Sequence, residues 1–181
     1  DIESETASKW LEAVGDPETT SLVPGNHDAP VYNPALRFLK PWARYEKHVG
    51  AASIQCMTLG SLSVIGVNSA RRAQPRMNWS YGRLSRSVIE AAAGIARTEA
   101  DAGREVFLAL HHPVAQSSHK AGAEIVGNGD YALEKFSENG VSAVLSGHVH
   151  VAAAAPIAST GGRILSIQAG TAVSTRERGE K

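Results

Sequence analysis

The stretch Leu22-Val23-Pro24-Gly25-Asn26-His27-Asp28 decides how this chain is read. A short apolar run ends there and gives way to an amide, an imidazole and a carboxylate in consecutive positions. Gly25 before them lets the backbone turn sharply and approach a ligand closely. Two later stretches share the pattern of an apolar, strand-like run that ends in imidazoles. They are Phe107-Leu108-Ala109-Leu110 into His111-His112-Pro113, and Val144-Leu145 into Ser146-Gly147-His148-Val149-His150. In open α/β sheets, ligand sites form beyond the carboxyl ends of strands. All three polar clusters fall at such ends, which points to one site assembled from three loops.

Working outward, residues 4–14 read as a helix with Ala7, Trp10, Leu11 and Val14 on one face, stopped by Gly15 and Asp16-Pro17. A short strand over 20–23 is expected to deliver the opening motif. Helical pattern resumes over 36–47, with a break at Pro41. Two β-like runs, 54–59 and 61–67, meet at Gly60 as a hairpin. Leu84, Val88, Ala91 and Ile95 mark the inner stripe of a helix that ends before Gly103. Strands are expected over 105–110, 141–145 and 163–168, with the Ala-rich segment 151–158 as a connection before the last. Asp130 is expected to cap a helix that reaches residue 137. Strands alternating with helices place the chain in the α/β class, as one domain over 1–181.

The 181 residues suffice for a real core, and equal numbers of acidic and basic side chains leave no broad basic footprint for nucleic acid. Cys56 is the single cysteine, which rules out an intramolecular disulfide and a cysteine-rich zinc site. Its apolar neighbours predict a buried strand position. No apolar run approaches the roughly 20 residues of a membrane span, and no signal-peptide pattern opens the chain. A cytoplasmic setting is the expectation.

Alone, His148-Val149-His150 reads as a polar loop, and Asn26-His27-Asp28 as a turn satisfying its own backbone. Three such clusters at three strand ends instead point to metal. In an extended segment His148 and His150, two apart, project to the same side. Imidazole and amide-oxygen donors suit Mn, Fe, Zn or Ni better than Ca or Mg.

Gly25-Asn26-His27-Asp28, Leu110-His111-His112-Pro113 and Gly147-His148-Val149-His150, in this order and spacing, resemble the calcineurin-like metallophosphoesterase family. Gln168-Ala169-Gly170-Thr171 and Ser174-Thr175-Arg176 are similar to the region beyond the last motif in bacterial members related to cyclic-nucleotide phosphodiesterases. The resemblance implies a sandwich of two β-sheets flanked by helices. It implies a hydrolase that uses a metal-activated water at a binuclear site, with two divalent ions (Mn, Fe or Zn). Asn26, His111 and His148 would hold one ion and His150 the other, with His112 the alternative to His111. His27 would face the substrate, and Asp28 would orient it.

The family's first two motifs, an Asp-X-His and a Gly-Asp pair, are expected before residue 4 and do not occur there. Charge leads to the same expectation, because two dications about 3.5–4 Å apart need anionic ligands and the visible clusters supply neutral ones. The chain therefore reads as the C-terminal part of the catalytic domain, incomplete at the N-terminus and also at the C-terminus, binding metal weakly and inactive by itself. The expected substrate is a small phosphodiester, cyclic nucleotides included; a monoesterase, a pyrophosphatase on a nucleotide or lipid precursor, and a non-catalytic scaffold are the alternatives. His119 and the pair Arg71 and Arg72 are lesser candidates for substrate contact. His48 reads as a surface residue, and Trp42 and Tyr45 as packing residues.

Overall fold

The computed structural model describes residues 2–16, 18–30, 33–73, 80–115 and 125–170. Helix α1 (Ile2–Val14) is followed by an extended segment and then by α2 (Pro34–Leu39) and α3 (Ala43–His48). Pro41 falls in the gap between α2 and α3, where the break was expected. Asn33 caps α2 by accepting the Leu36 N–H at 2.9 Å.

Strands β1 (Gln55–Leu59) and β2 (Leu62–Gly66) form the hairpin, with Leu59 opposite Leu62. Gly60 takes φ +59°, which the tight turn requires and an L side chain disfavours. Then come α4 (Arg86–Asp101), β3 (Glu105–Ala109), α5 (Gly129–Glu138), β4 (Val141–Ser146), β5 (Ala153–Ser159) and β6 (Gly162–Gln168). The six strands make one sheet in the order β1-β2-β3-β4-β6-β5. β2, β3, β4 and β6 run parallel, and the edge strands β1 and β5 run antiparallel to their neighbours. Parallel neighbours end on the same side, so the loops after β2, β3 and β4 emerge together.

Helices α4 and α5 cover one face of the sheet and pack on each other. Ile65, Leu108 and Val144 lie on adjacent strands in register and are fully buried under Ile89, Ala92, Ala96, Ala132 and Phe136. The buried side of α4 runs through Ile89, Ala92, Ala93 and Ala96, displaced from the expected stripe of Leu84, Val88, Ala91 and Ile95. Alanines let α5 and the sheet approach closely, so this side wins over the bulkier one. Of the expected stripe, Leu84 is in the core just ahead of the helix, Val88 and Ile95 border the buried side, and Ala91 faces solvent.

Several other expectations change. Among the described residues there is one sheet, not two, and its other face leaves Leu165 42% exposed. Residues 20–23 pair in no strand but lie across β2, close enough that a Cβ at Gly66 would stand 3.1 Å from Val23. The Ala-rich connection contains β5. Cys56 is exposed, since β1 is an edge strand with a neighbour on one side only. Helix α5 begins after Asn128, whose amide donates to the Leu84 carbonyl at 2.7 Å, and Asp130 sits inside its first turn.

Candidate metal centre

The ladder between β3 and β4 continues past both strands. Leu110 N–H donates to Leu145 O, and Gly147 N–H donates to His111 O, each at 3.0 Å. These bonds bring His111, His112 and His148 to one end of the sheet. One ligand atom from each lies within 4.8 Å of the others. The turn after Gly25 reaches the same place. Asn26 Oδ1 stands 2.9 Å from His111 Nε2, and His148 Nδ1 stands 3.3 Å from that same nitrogen. A cation bonded at about 2.1 Å sets its ligands about 3.0–3.4 Å apart, depending on tetrahedral or octahedral geometry. Both separations match the edges of such a polyhedron, so amide oxygen and imidazoles fit a divalent ion of the first transition row.

His112 belongs to the same cluster by distance but not by chemistry. Its backbone N–H donates to Ser69 Oγ at 3.1 Å, and that hydroxyl lies 2.9 Å from its Nδ1. Its Nε2 lies 2.7 Å from the Ser80 carbonyl oxygen. A carbonyl only accepts, so Nε2 carries the proton and Nδ1 accepts from Ser69. Both ring nitrogens are thereby engaged by protein. Gly82 makes room for this ring, since a Cβ there would stand 2.3 Å from His112 Nδ1. Ser69 was not singled out by sequence reasoning; the signal for it is its position just beyond β2, at the end where the imidazoles gather.

His148 and His150 are not extended. Their φ angles are +67° and +58°, conformations that cost non-glycine residues on the order of 1–3 kcal/mol each. Buried Val149 lies between them. The period-2 projection expected for the pair therefore fails, and while His148 meets His111, His150 is exposed and outside the cluster of three. His27 is exposed beside the site, near enough to bear on His111 electrostatically. Asp28 does not hold it. The Asp28 carboxylate folds back to accept the Gly25 N–H at 2.7 Å, closing the turn that presents Asn26 and His27. His119 and residues 171–176 lie outside the described residues.

Burial, with the neighbouring His148, His27 and His150 rings, pushes His111 down to about 4 from the ordinary 6.5. Burial, with His111 and His148, pushes His112 down to about 3 against the opposing bond to Ser80. Above pH 6.5 folded and unfolded chains both hold these rings neutral. Below it the unfolded chain takes up protons that the folded one refuses, so stability falls as pH drops from about 6.5 towards 3. For fully buried His112 the loss is on the order of 4 kcal/mol at the acid end, a large part of the ~5–15 kcal/mol of a typical domain. Urea midpoints of metal-free protein across this range should show it, with a shallower slope in His112→Gln. An equal slope in that variant would refute the assignment.

The pattern of one family extends over most of this chain: a family model for calcineurin-like phosphoesterases matches residues 2–152. The chain belongs to the calcineurin-like phosphoesterase family. No curated protein matches it. The matched span takes in all three clusters and ends two residues past His150. Calcineurin-like phosphoesterases are hydrolases of phosphoesters that bind divalent metals, and the donor set around His111 is compatible with that. No helix among the described residues is long and apolar enough to cross a membrane.

Proposed function

We propose that this calcineurin-like phosphoesterase is a metal-dependent phosphodiesterase acting on small, soluble phosphodiesters, cyclic nucleotides among them, in the cytoplasm. Asn26, His111 and His148 hold one divalent ion (Mn, Fe or Zn), and His150 serves a second. The observation that carries this reading is the spacing of donors around His111 Nε2, 2.9 Å to Asn26 Oδ1 and 3.3 Å to His148 Nδ1. When bound, the ions supply Lewis acidity to the phosphoryl oxygens and lower the pKa of a water from 15.7 towards about 7. The chain's own part is to orient and to move protons. His27, exposed and near enough to bear on His111 electrostatically, is the group assigned to stabilise the oxyanion or protonate the leaving oxygen. Asp28 shapes the turn that presents it.

Two dications repel, and every donor in the histidine group among the described residues is neutral. The expected result is therefore loose binding, the ion on Asn26, His111 and His148 being retained better than the second, to which His150 alone is assigned, by elemental analysis after gel filtration. Two ions held tightly per chain would contradict this donor assignment. For activity, the protein loaded with Mn should cleave bis(4-nitrophenyl) phosphate faster than 4-nitrophenyl phosphate. A preference for the monoester would favour the phosphatase alternative, and no turnover of either would favour a binding scaffold.

A further inference from the structure

A cleft of about 480 Å³ is lined by Pro41, Trp42, Ala70, Arg71, Arg72 and Ala73, with mainly polar walls. Its size falls within the ~300–1,000 Å³ of small-molecule sites. The loop after β2 joins the cleft to the centre. Ser69 of that loop holds His112, Ala70 N–H donates to Asn68 Oδ1 at 2.9 Å, and the next two residues are the cleft's arginines. A second tie runs through Arg37, a guanidinium only 2% exposed. It donates to the carbonyl of Arg72 on one side and to that of Pro30, at 3.0 Å, on the other. The cleft wall is thus fastened to the loop that leaves Asn26-His27-Asp28.

Two cations stand in this cleft, and no carboxylate lines it among the described residues. Half-buried Arg71 forms no hydrogen bond or ion pair among the described residues. Arg72 donates to the Phe38 carbonyl at 3.1 Å, a neutral partner, and pairs with no carboxylate among the described residues. Guanidinium pairs suit phosphate oxygens, which accept two parallel N–H bonds from one fork. We propose that this cleft binds a second phosphoryl group of the substrate, one that is not cleaved, with Arg71 as its principal ligand. The reading rests on the phosphoesterase function above and narrows the substrate class to esters that carry a further phosphate.

Two measurements test it. The first needs no turnover: inorganic pyrophosphate is titrated into EDTA-treated protein while the Arg71 side-chain N–H resonance is followed, assigned by its absence in Arg71→Lys. Saturable shifts of that resonance are expected, together with an affinity by calorimetry that falls about tenfold in Arg71→Ala, as for loss of one charge-assisted bond. No saturable shift, or equal affinity in a folded Arg71→Ala, overturns the proposal. The second compares KM for bis(4-nitrophenyl) phosphate with KM for a diester bearing an additional terminal phosphate, in metal-loaded protein. Arg71→Ala should raise the second KM about tenfold more than the first, and an equal change in both overturns the proposal. If wild-type protein cleaves neither ester, the phosphoesterase reading fails and the titration alone decides whether the cleft takes a phosphoryl group.

Discussion

Exchange of His111 for alanine is expected to weaken divalent-metal binding by more than about 100-fold, because removing even an outer partner of a metal ligand costs 10–100-fold. The same exchange at His112, the next residue, should leave the affinity within about tenfold and act on the fold instead. The two rings are 4.8 Å apart, centroid to centroid, and meet edge-on, yet they face different surroundings. His111 Nε2 looks at Asn26 and His148, whereas both His112 nitrogens are spent on Ser69 and Ser80. His112→Ala takes the ring donor away from the Ser80 carbonyl and the ring acceptor away from the Ser69 hydroxyl, and leaves a ring-sized cavity. A loss of about 2–4 kcal/mol follows from those terms. Calorimetric titration with Mn and urea unfolding, run on both variants, separate the two roles. If a folded His112→Ala loses metal as completely as His111→Ala, the division of labour between the rings is wrong.

That division illustrates where sequence reasoning reaches and where it stops. The apolar runs at 105–110 and 141–145 are legible because inner strands of a parallel sheet are mostly hydrophobic on both sides, although Phe107, Ala109 and Leu145 end up only partly buried. Their ends then announce the imidazoles. Ser69 stays silent, since a serine after a strand has no pattern, and its importance comes from meeting His112 across 43 positions of sequence. β5 stays silent for a different reason: a run of alanines gives no contrast between inner and outer positions, so a period of two cannot be heard. The backbone at His148 and His150 is also beyond sequence rules, which assign positive φ to glycine first. Here two imidazoles take it around a buried valine. The pairing of Asp28 with His27 failed on geometry, because a carboxylate three residues past Gly25 finds that backbone N–H before it finds its neighbour's ring.

The correction at Asp28 shapes the largest catalytic expectation. His27→Ala should lower kcat on bis(4-nitrophenyl) phosphate by about 10²–10⁴-fold, the range for loss of a positioned general acid, with metal content unchanged. The ring is exposed and makes no part of the His111 cluster, so its removal leaves the donors in place. Asp28 then discriminates between two ways of supporting that imidazole. If its carboxylate serves to close the turn on Gly25 N–H, Asp28→Asn keeps an acceptor oxygen and keeps turnover within about tenfold, whereas Asp28→Ala frees the loop and lowers it further. A charged partner acting on His27 itself would instead make Asp28→Asn nearly as damaging as His27→Ala, since the amide keeps the shape and loses the charge. The 2.7 Å bond to Gly25 favours the first outcome. An equal collapse of both Asp28 variants, with metal still bound, would return the carboxylate to the imidazole.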